Sequence, residues 1–176
     1  MEIILIIVGL IALVFIGDKF LKQSMGIDES VFLNHIQGIP NLGKGVKILV
    51  LFYPDKITID NKKIIPLSRI KQTTFISQKE VIEYQKNAIA RGAVGLLLGP
   101  LGAIVGAISG VGTKTEQLDV YYFTVEFIDI NGNDAVAIFT LSSVNDFLTV
   151  QLISNKINEK LGIKISHKNI NVPHEI

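Results

Sequence analysis

Residues whose side chains could carry out catalysis or bind a metal are scattered along this sequence. Its three histidines, His35, His167 and His174, form neither an HxxxH nor an HExxH spacing, so no zinc-ligand pair is expected. No GxSxG motif is present, and Asp55 and Asp60 are better explained as turn formers than as an acid–base pair. The absence of cysteine excludes disulfides, thiolate zinc sites and cysteine nucleophiles. The sequence therefore predicts a non-enzymatic protein with no catalytic residues, no metal site and no cofactor.

Basic residues are concentrated in one half of the chain. Residues 44–91 contain ten Lys and Arg against four Asp and Glu, whereas residues 115–155 contain six acidic residues and no basic ones. The two halves could lie side by side and neutralise each other, or the basic half could face an anionic leaflet, where each lysine contributes about 1 kcal/mol. On the second interpretation the membrane-facing residues are Lys44, Lys47, Lys62 and Lys63. The net charge of only +1 argues against nucleic-acid binding.

An uncharged run near the start of the chain predicts a membrane anchor. Residues 3–17 carry no charge, and Lys19 and Lys22 follow them. A helix of this length spans about 22 Å, and flanking apolar residues with snorkelling lysines can extend it across a bilayer core. A cleaved signal peptide and a buried core helix are the alternatives. We expect residues 1–22 to anchor a single-pass membrane protein, with a linker at 23–30 and the bulk of the chain in the cytoplasm by the positive-inside rule.

Short β-rich runs separated by turn residues follow the linker. Candidate strands lie at 31–36, 46–52, 56–60, 63–67, 70–84, 120–130 and 135–141. The run Asn131-Gly132-Asn133 predicts a hairpin between the last two strands, and the odd-numbered residues from 121 to 127 share one apolar face. Six or seven short strands at hairpin spacing favour an antiparallel barrel or sandwich.

The last predicted element is an amphipathic helix. Ser143 is its expected N-cap, with Asp146 placed to complete a shortened capping box, and Gly162 is its expected left-handed C-cap. Its apolar stripe consists of Phe147, Val150, Ile153, Ile157 and Leu161. Such a helix is expected to pack on the sheet, the alternative being a helix that lies on a membrane surface. Residues 163–176 are predicted to be an extended tail with a short strand at 163–165.

A glycine-rich stretch between Arg91 and Lys114 contains no charged residue. Its glycines recur four residues apart in two groups: Gly95 and Gly99, then Gly102, Gly106 and Gly110. This spacing predicts a glycine-zipper helical hairpin within residues 87–113, because small faces let helices approach closely. A single membrane crossing would place the flanking strands on opposite sides of the bilayer, whereas a hairpin keeps them together. The hairpin could enter lipid, fold against the anchor or pack between protomers.

Three segments together resemble a known group of proteins. HIQGIPNLGKGVKILVLFYPDKITI, IIPLSRI and RGAVGLLLGPLGAIVGAISG are similar to segments of uncharacterised bacterial membrane-anchored proteins with a pleckstrin-homology-like (GRAM-like) domain. The resemblance covers residues 31–162. It implies a sheet that a glycine-zipper hairpin interrupts between two strands and that a C-terminal helix closes. It also implies membrane-associated binding or scaffolding, and it transfers no catalytic residues.

The residues and the resemblance together predict an α+β protein. It comprises an N-terminal transmembrane helix, a PH-like antiparallel β-barrel or sandwich with a C-terminal amphipathic helix, and an inserted glycine-rich helical hairpin. The predicted function is a membrane-anchored scaffold or adaptor that binds lipid headgroups or a protein partner. The alternative is a membrane-inserting or self-assembling protein that acts through the glycine-zipper hairpin. Expected partners are membrane lipids, a protein partner or a second copy, and no nucleic acid.

Overall fold

The computed structural model describes residues 24–83 and 120–163, together with the single residues Ile7 and Ile104. Apart from Ile7, the predicted anchor lies outside the described residues, as do the five predicted zipper glycines and the tail beyond residue 163. Within the part of the chain that the structure describes, no helix is both long and apolar enough to cross a membrane.

Seven strands form one open antiparallel sheet, which together with the C-terminal helix confirms the predicted α+β class. In chain order they are β1 (Glu29–Gln37), β2 (Lys47–Phe52), β3 (Lys56–Ile59), β4 (Lys63–Pro66), β5 (Ile70–Ser77), β6 (Tyr121–Ile128) and β7 (Asp134–Leu141). Their order across the sheet is β4-β3-β2-β1-β7-β6-β5. The first four strands and the last three are therefore two meanders, which join where β1 pairs with β7.

The strands end at turns that the sequence predicts. Asp60 and Asn61 have φ values of 51° and 52°, and the Lys62 N–H donates to the Ile59 carbonyl at 3.1 Å, which closes the β3–β4 turn. In the predicted β6–β7 hairpin, Gly132 adopts a φ of 85°. Short-range turn chemistry therefore sets the lengths of both hairpins.

The sheet curls around one main apolar core. The rings of Phe52 on β2 and Phe123 on β6 lie 6.1 Å apart, although β1 and β7 separate these two strands within the sheet. The two meanders must therefore face each other. A shift in the β1–β7 register between His35 and Gln37 gives β1 a local bend. The predicted apolar face of β6 points into this core, where residues 121, 123 and 125 are buried and Phe127 is half-buried.

The segment predicted as one extended run, 70–84, is a strand only as far as Ser77. A helix, α1, begins at residue 78 and is described through residue 83. Ser77 and Glu80 form a capping box, in which the Ser77 Oγ accepts from the Glu80 N–H at 3.2 Å and a Glu80 carboxylate oxygen accepts from the Ser77 N–H at 3.0 Å. The prediction of strand beyond Ser77 is wrong because this cap starts a helix there.

The C-terminal helix, α2 (Phe147–Lys160), packs on the core as predicted. Its buried side chains include the stripe residues Phe147, Val150, Ile153 and Ile157. The Ser143 Oγ accepts from the Asn145 N–H at 3.2 Å and caps a 3₁₀ turn that leads into the helix. The Ser142 hydroxyl donates to the Phe32 carbonyl at 2.6 Å, and its oxygen lies 3.4 Å from an Asp146 carboxylate oxygen.

At its other end α2 stops at Gly162, which has a φ of 72° and confirms the predicted C-cap. The helix also closes the edge of β5. The Asn158 Oδ1 accepts from the Thr73 N–H at 2.8 Å, and the Asn158 Nδ2 donates to the Thr73 carbonyl at 2.7 Å. The Thr73 Oγ1 lies 3.0 Å from the Ser154 Oγ. The Asn158 amide thus takes the place that a neighbouring strand would occupy.

Candidate functional site

A groove of about 310 Å³ lies at one end of the sheet. Three connections meet there: the β1–β2 loop, the β3–β4 turn and the β6–β7 hairpin. We call this the hairpin end, and we call the opposite end, where α2 packs beside the β2–β3 turn, the helix end. The volume is at the lower limit of the range that small-molecule sites usually have.

Aliphatic side chains form most of the groove. Ile39 and Pro40 come from the β1–β2 loop, strand β4 contributes residues 63–66, and the β6–β7 hairpin contributes residues 127–131. Two isoleucines on these elements face solvent, with exposed fractions of 60% for Ile64 and 85% for Ile130. Exposed aliphatic side chains beside an apolar groove are typical of a surface that receives an apolar partner.

Asp129 fixes the hairpin tip that carries Ile130. Its Oδ1 accepts the N–H groups of Asn131 and Asn133, both at 2.8 Å, and its own N–H donates to the Asn133 carbonyl at 2.8 Å. These hydrogen bonds, above all the one from Asn133, lower the pKa of Asp129 below its ordinary value. The Asp129 carboxylate therefore stabilises the turn in which it lies, and this turn keeps the Ile130 side chain exposed to solvent.

His35 fixes the β1–β2 loop on the other side of the groove. The side chain is buried, its Nδ1 lies 3.0 Å from the Gly43 carbonyl, and its Nε2 accepts from the Ile39 N–H at 3.3 Å. Because Nε2 accepts, Nδ1 carries the proton and donates to Gly43. The ring also lies 6.0 Å from Phe139. These contacts make His35 a packed residue that holds the loop in place.

Gly38 is the first residue after β1, and its backbone packs directly against the backbone of β7. It has a φ of 95°, and a Cβ at this position would lie 1.8 Å from the Val136 carbonyl oxygen. Only glycine fits both the backbone angle and this close approach. The wall that carries Ile39 and Pro40 therefore depends on a glycine with no room for a side chain.

Basic residues surround the groove. Lys63 and Arg69 line it, and Lys62 stands in the adjacent turn with its Nζ 3.5 Å from an Asp60 carboxylate oxygen. Both side chains of that pair are well exposed, so the pair contributes at most about 1 kcal/mol. Of the predicted membrane-facing lysines, Lys44 also lies in a connection at the hairpin end. The fourth, Lys47, begins β2 at the same end, and its ammonium lies 5.1 Å from the centre of the Phe32 ring.

The exposed edge of β4 offers few hydrogen-bond donors beside the groove. The Leu67 N–H donates to the Asp55 carbonyl at 2.7 Å, so these two residues form a hydrogen-bonded pair. Because such pairs alternate along an antiparallel ladder, the backbone groups of Lys63 and Ile65 also face β3. The backbone groups of Ile64 and Pro66 therefore face outward. Since proline has no N–H, Ile64 carries the one outward donor of this four-residue strand. Such an edge is poorly suited to pairing with an added peptide strand.

The sequence predicts a role for the lysines at this end but not for the aliphatic residues that line the groove. Ile64, Ile39 and Arg69 gave no signal of their own, because their roles depend on which strand forms the sheet edge. Ile130 did carry one, since it is a large apolar residue between Asp129 and the Asn131-Gly132 turn. Within the described residues, no cluster of three or more His, Asp and Glu side chains is placed to hold a metal ion.

No protein-family model, curated protein or solved structure matches this chain.

Proposed function

We propose that this chain is a non-enzymatic, membrane-anchored PH-like module whose hairpin end binds anionic lipid headgroups. The PH-like assignment is supported by two meanders that face each other across one core, by a C-terminal helix packed on that core, and by a long insertion between β5 and β6. The resemblance implies the same arrangement, in which a glycine-rich segment interrupts the sheet between two strands. The predicted anchor at residues 1–22 would hold the module at a bilayer.

The combination of exposed aliphatic and basic side chains at the hairpin end carries this proposal. Ile64 and Ile130 are exposed on both sides of an apolar groove, and Lys62, Lys63 and Arg69 lie beside them. On a membrane surface, aliphatic side chains enter the boundary between headgroups and acyl chains while lysines and arginines remain among the anionic headgroups. The scarcity of outward donors on β4 favours lipid over an extended peptide as the ligand.

A fluorescent label at Ile130 tests the proposal in the full chain. The sequence contains no cysteine, so Ile130→Cys provides a single attachment point for an environment-sensitive fluorophore. The labelled chain is reconstituted in bilayers of phosphatidylcholine alone or with phosphatidylglycerol. We expect a blue shift and quenching by lipid-borne quenchers in the anionic bilayers only. The matched control is Leu152→Cys on α2, which is 60% exposed at the helix end, and its label should depend much less on lipid charge.

Reversal of the nearby charges separates lipid binding from a general apolar contact. Lys62→Glu with Lys63→Glu should remove the response of the Ile130 label to anionic lipid, because both cations lie at the turn beside the groove. Equal emission in neutral and anionic bilayers would refute the proposal. The alternative function, insertion or self-assembly through the glycine-rich hairpin, requires no response of this label to lipid charge.

A further inference from the structure

A second apolar cluster lies on the outer face of the sheet, opposite the main core. Its buried members are Val81 of α1, Tyr122 of β6, Ile138 of β7 and Ile104. Half-buried side chains packed against them are Ile36, Ile76, Val120 and Val136. Ile104 belongs to the glycine-rich stretch, is helical and has no exposed surface. One residue of that stretch therefore belongs to the apolar cluster on this face.

The two flanks of the insertion meet at the ends of neighbouring strands. Ser77 is paired with Tyr121, and the Gln78 N–H donates to the Val120 carbonyl at 2.7 Å. The chain leaves the sheet through α1, and Val81 places that helix on the outer face. The inserted segment thus begins on the face that carries Ile104, and its two ends lie side by side at Gln78 and Val120.

Thr124 independently indicates that protein covers this face. Phe123 and Val125 point into the main core, so the alternation of β6 directs Thr124 outward. Its side chain is nevertheless fully buried, and its Oγ1 has no hydrogen-bond partner. An outward hydroxyl on an uncovered sheet would be hydrated, so its burial without a partner requires an apolar cover.

We propose that the outer face of β6 and β7 is the docking surface for the chain's own glycine-rich segment, with Ile104 as the contact residue. The occupant matches the surface because the stretch from residue 92 to residue 113 carries no charge and the cluster beneath is aliphatic and aromatic. On a helix, Gly102 and Gly106 lie about 160° around the axis from Ile104. A helix that continued on both sides of Ile104 would therefore meet the sheet with its aliphatic side and carry these two glycines on its opposite side.

Disulfide trapping tests this inference and uses the cysteine-free background of the full chain. Ile104→Cys is combined with Ile138→Cys, and the chain is oxidised both in detergent and in bilayers. The positive control pairs Thr58→Cys with Ile64→Cys, which are directly opposite each other on β3 and β4. The negative control pairs Ile104→Cys with Ile130→Cys at the hairpin end. We expect an intrachain disulfide in most molecules of the first two pairs and in few molecules of the third.

Two trapping results would overturn the inference: a positive control that forms while the 104–138 pair does not, or a 104–138 pair that links only separate chains. The first result would place the segment away from the sheet, for example in lipid, and the second would make the occupant another copy. Thr124→Val supplies an independent measurement. It should raise the unfolding midpoint, because it removes an unpaired hydroxyl beneath an apolar cover, and a lowered midpoint would contradict the inference. The Ile130 label reports on the proposed lipid site separately.

Discussion

We expect Asn158→Ala to be among the most destabilising substitutions in α2, even though Asn158 is a polar residue and not part of the apolar stripe. Its amide bonds the N–H and the carbonyl of Thr73, and Thr73 is only 3% exposed, so water cannot replace either contact. A buried backbone group without a partner costs about 1–3 kcal/mol. Two such groups give an expected loss of about 2–6 kcal/mol in the free energy of unfolding, reduced by roughly 0.5 kcal/mol because alanine favours helix.

Denaturant titration of the full chain in detergent, followed by circular dichroism, measures this loss. The matched control is Asn155→Ala, which removes the same atoms from a half-buried position on the same helix and gains the same helix propensity. We expect the midpoint of Asn158→Ala to fall well below that of Asn155→Ala at an unchanged slope. Equal midpoints would show that the β5 edge does not need the amide, and they would refute the account of how α2 closes the sheet.

Three further changes follow from the same structure. Gly38→Ala should cost several kcal/mol, because its Cβ would lie 1.8 Å from the Val136 carbonyl oxygen, and a wild-type melting temperature would contradict this. Phe147→Ala should cost about 3–5 kcal/mol in denaturant titration, as buried aromatic truncations do, and a loss below 1 kcal/mol would mean the helix stripe is not core. The pKa of Asp129 is lowered in the folded state, so its contribution to stability is present at neutral pH and lost from about pH 4 downward. Asp129→Asn should therefore lose less stability than the parent between pH 7 and pH 3, and an identical loss would exclude that carboxylate as the cause.

Much of the fold could be predicted because its signals are local. The Asp60-Asn61 and Asn131-Gly132 turns, the alternation along β6, the stripe of α2 and its C-cap at Gly162 each depend on residues within a few positions of one another. The prediction of strand at residues 78–83 failed for a local reason. Apolar residues return at Val81 and Ile82 after four polar residues, so the apolar pattern alone did not distinguish strand from helix, whereas the Ser77–Glu80 capping box does.

The groove was less predictable because it depends on strand order. Lysines near turns are visible in the sequence, but Ile64 belongs to the groove only because β4 is the last strand of its meander. The burial of Tyr122 and Thr124 could not be predicted from the sequence either. Alternation indicates one apolar face on β6, and the outer cluster arises from α1 and Ile104, which are distant in sequence. Non-local contacts of this kind leave no periodic pattern.

The direction of β1 restricts how an anchored module can reach lipid. This strand runs from the helix end to the hairpin end over nine residues, a distance of about 27 Å. The predicted anchor ends at residue 22, and the side chain of Ile27 is already packed into the domain, so the connection can extend at most about 17 Å. An upright module would hold its groove far above the headgroups of its own bilayer. For Ile130 to enter that bilayer, the long axis of the module must incline to within roughly 40° of the membrane plane, so the length of the short connection before β1 sets which headgroups the groove can reach.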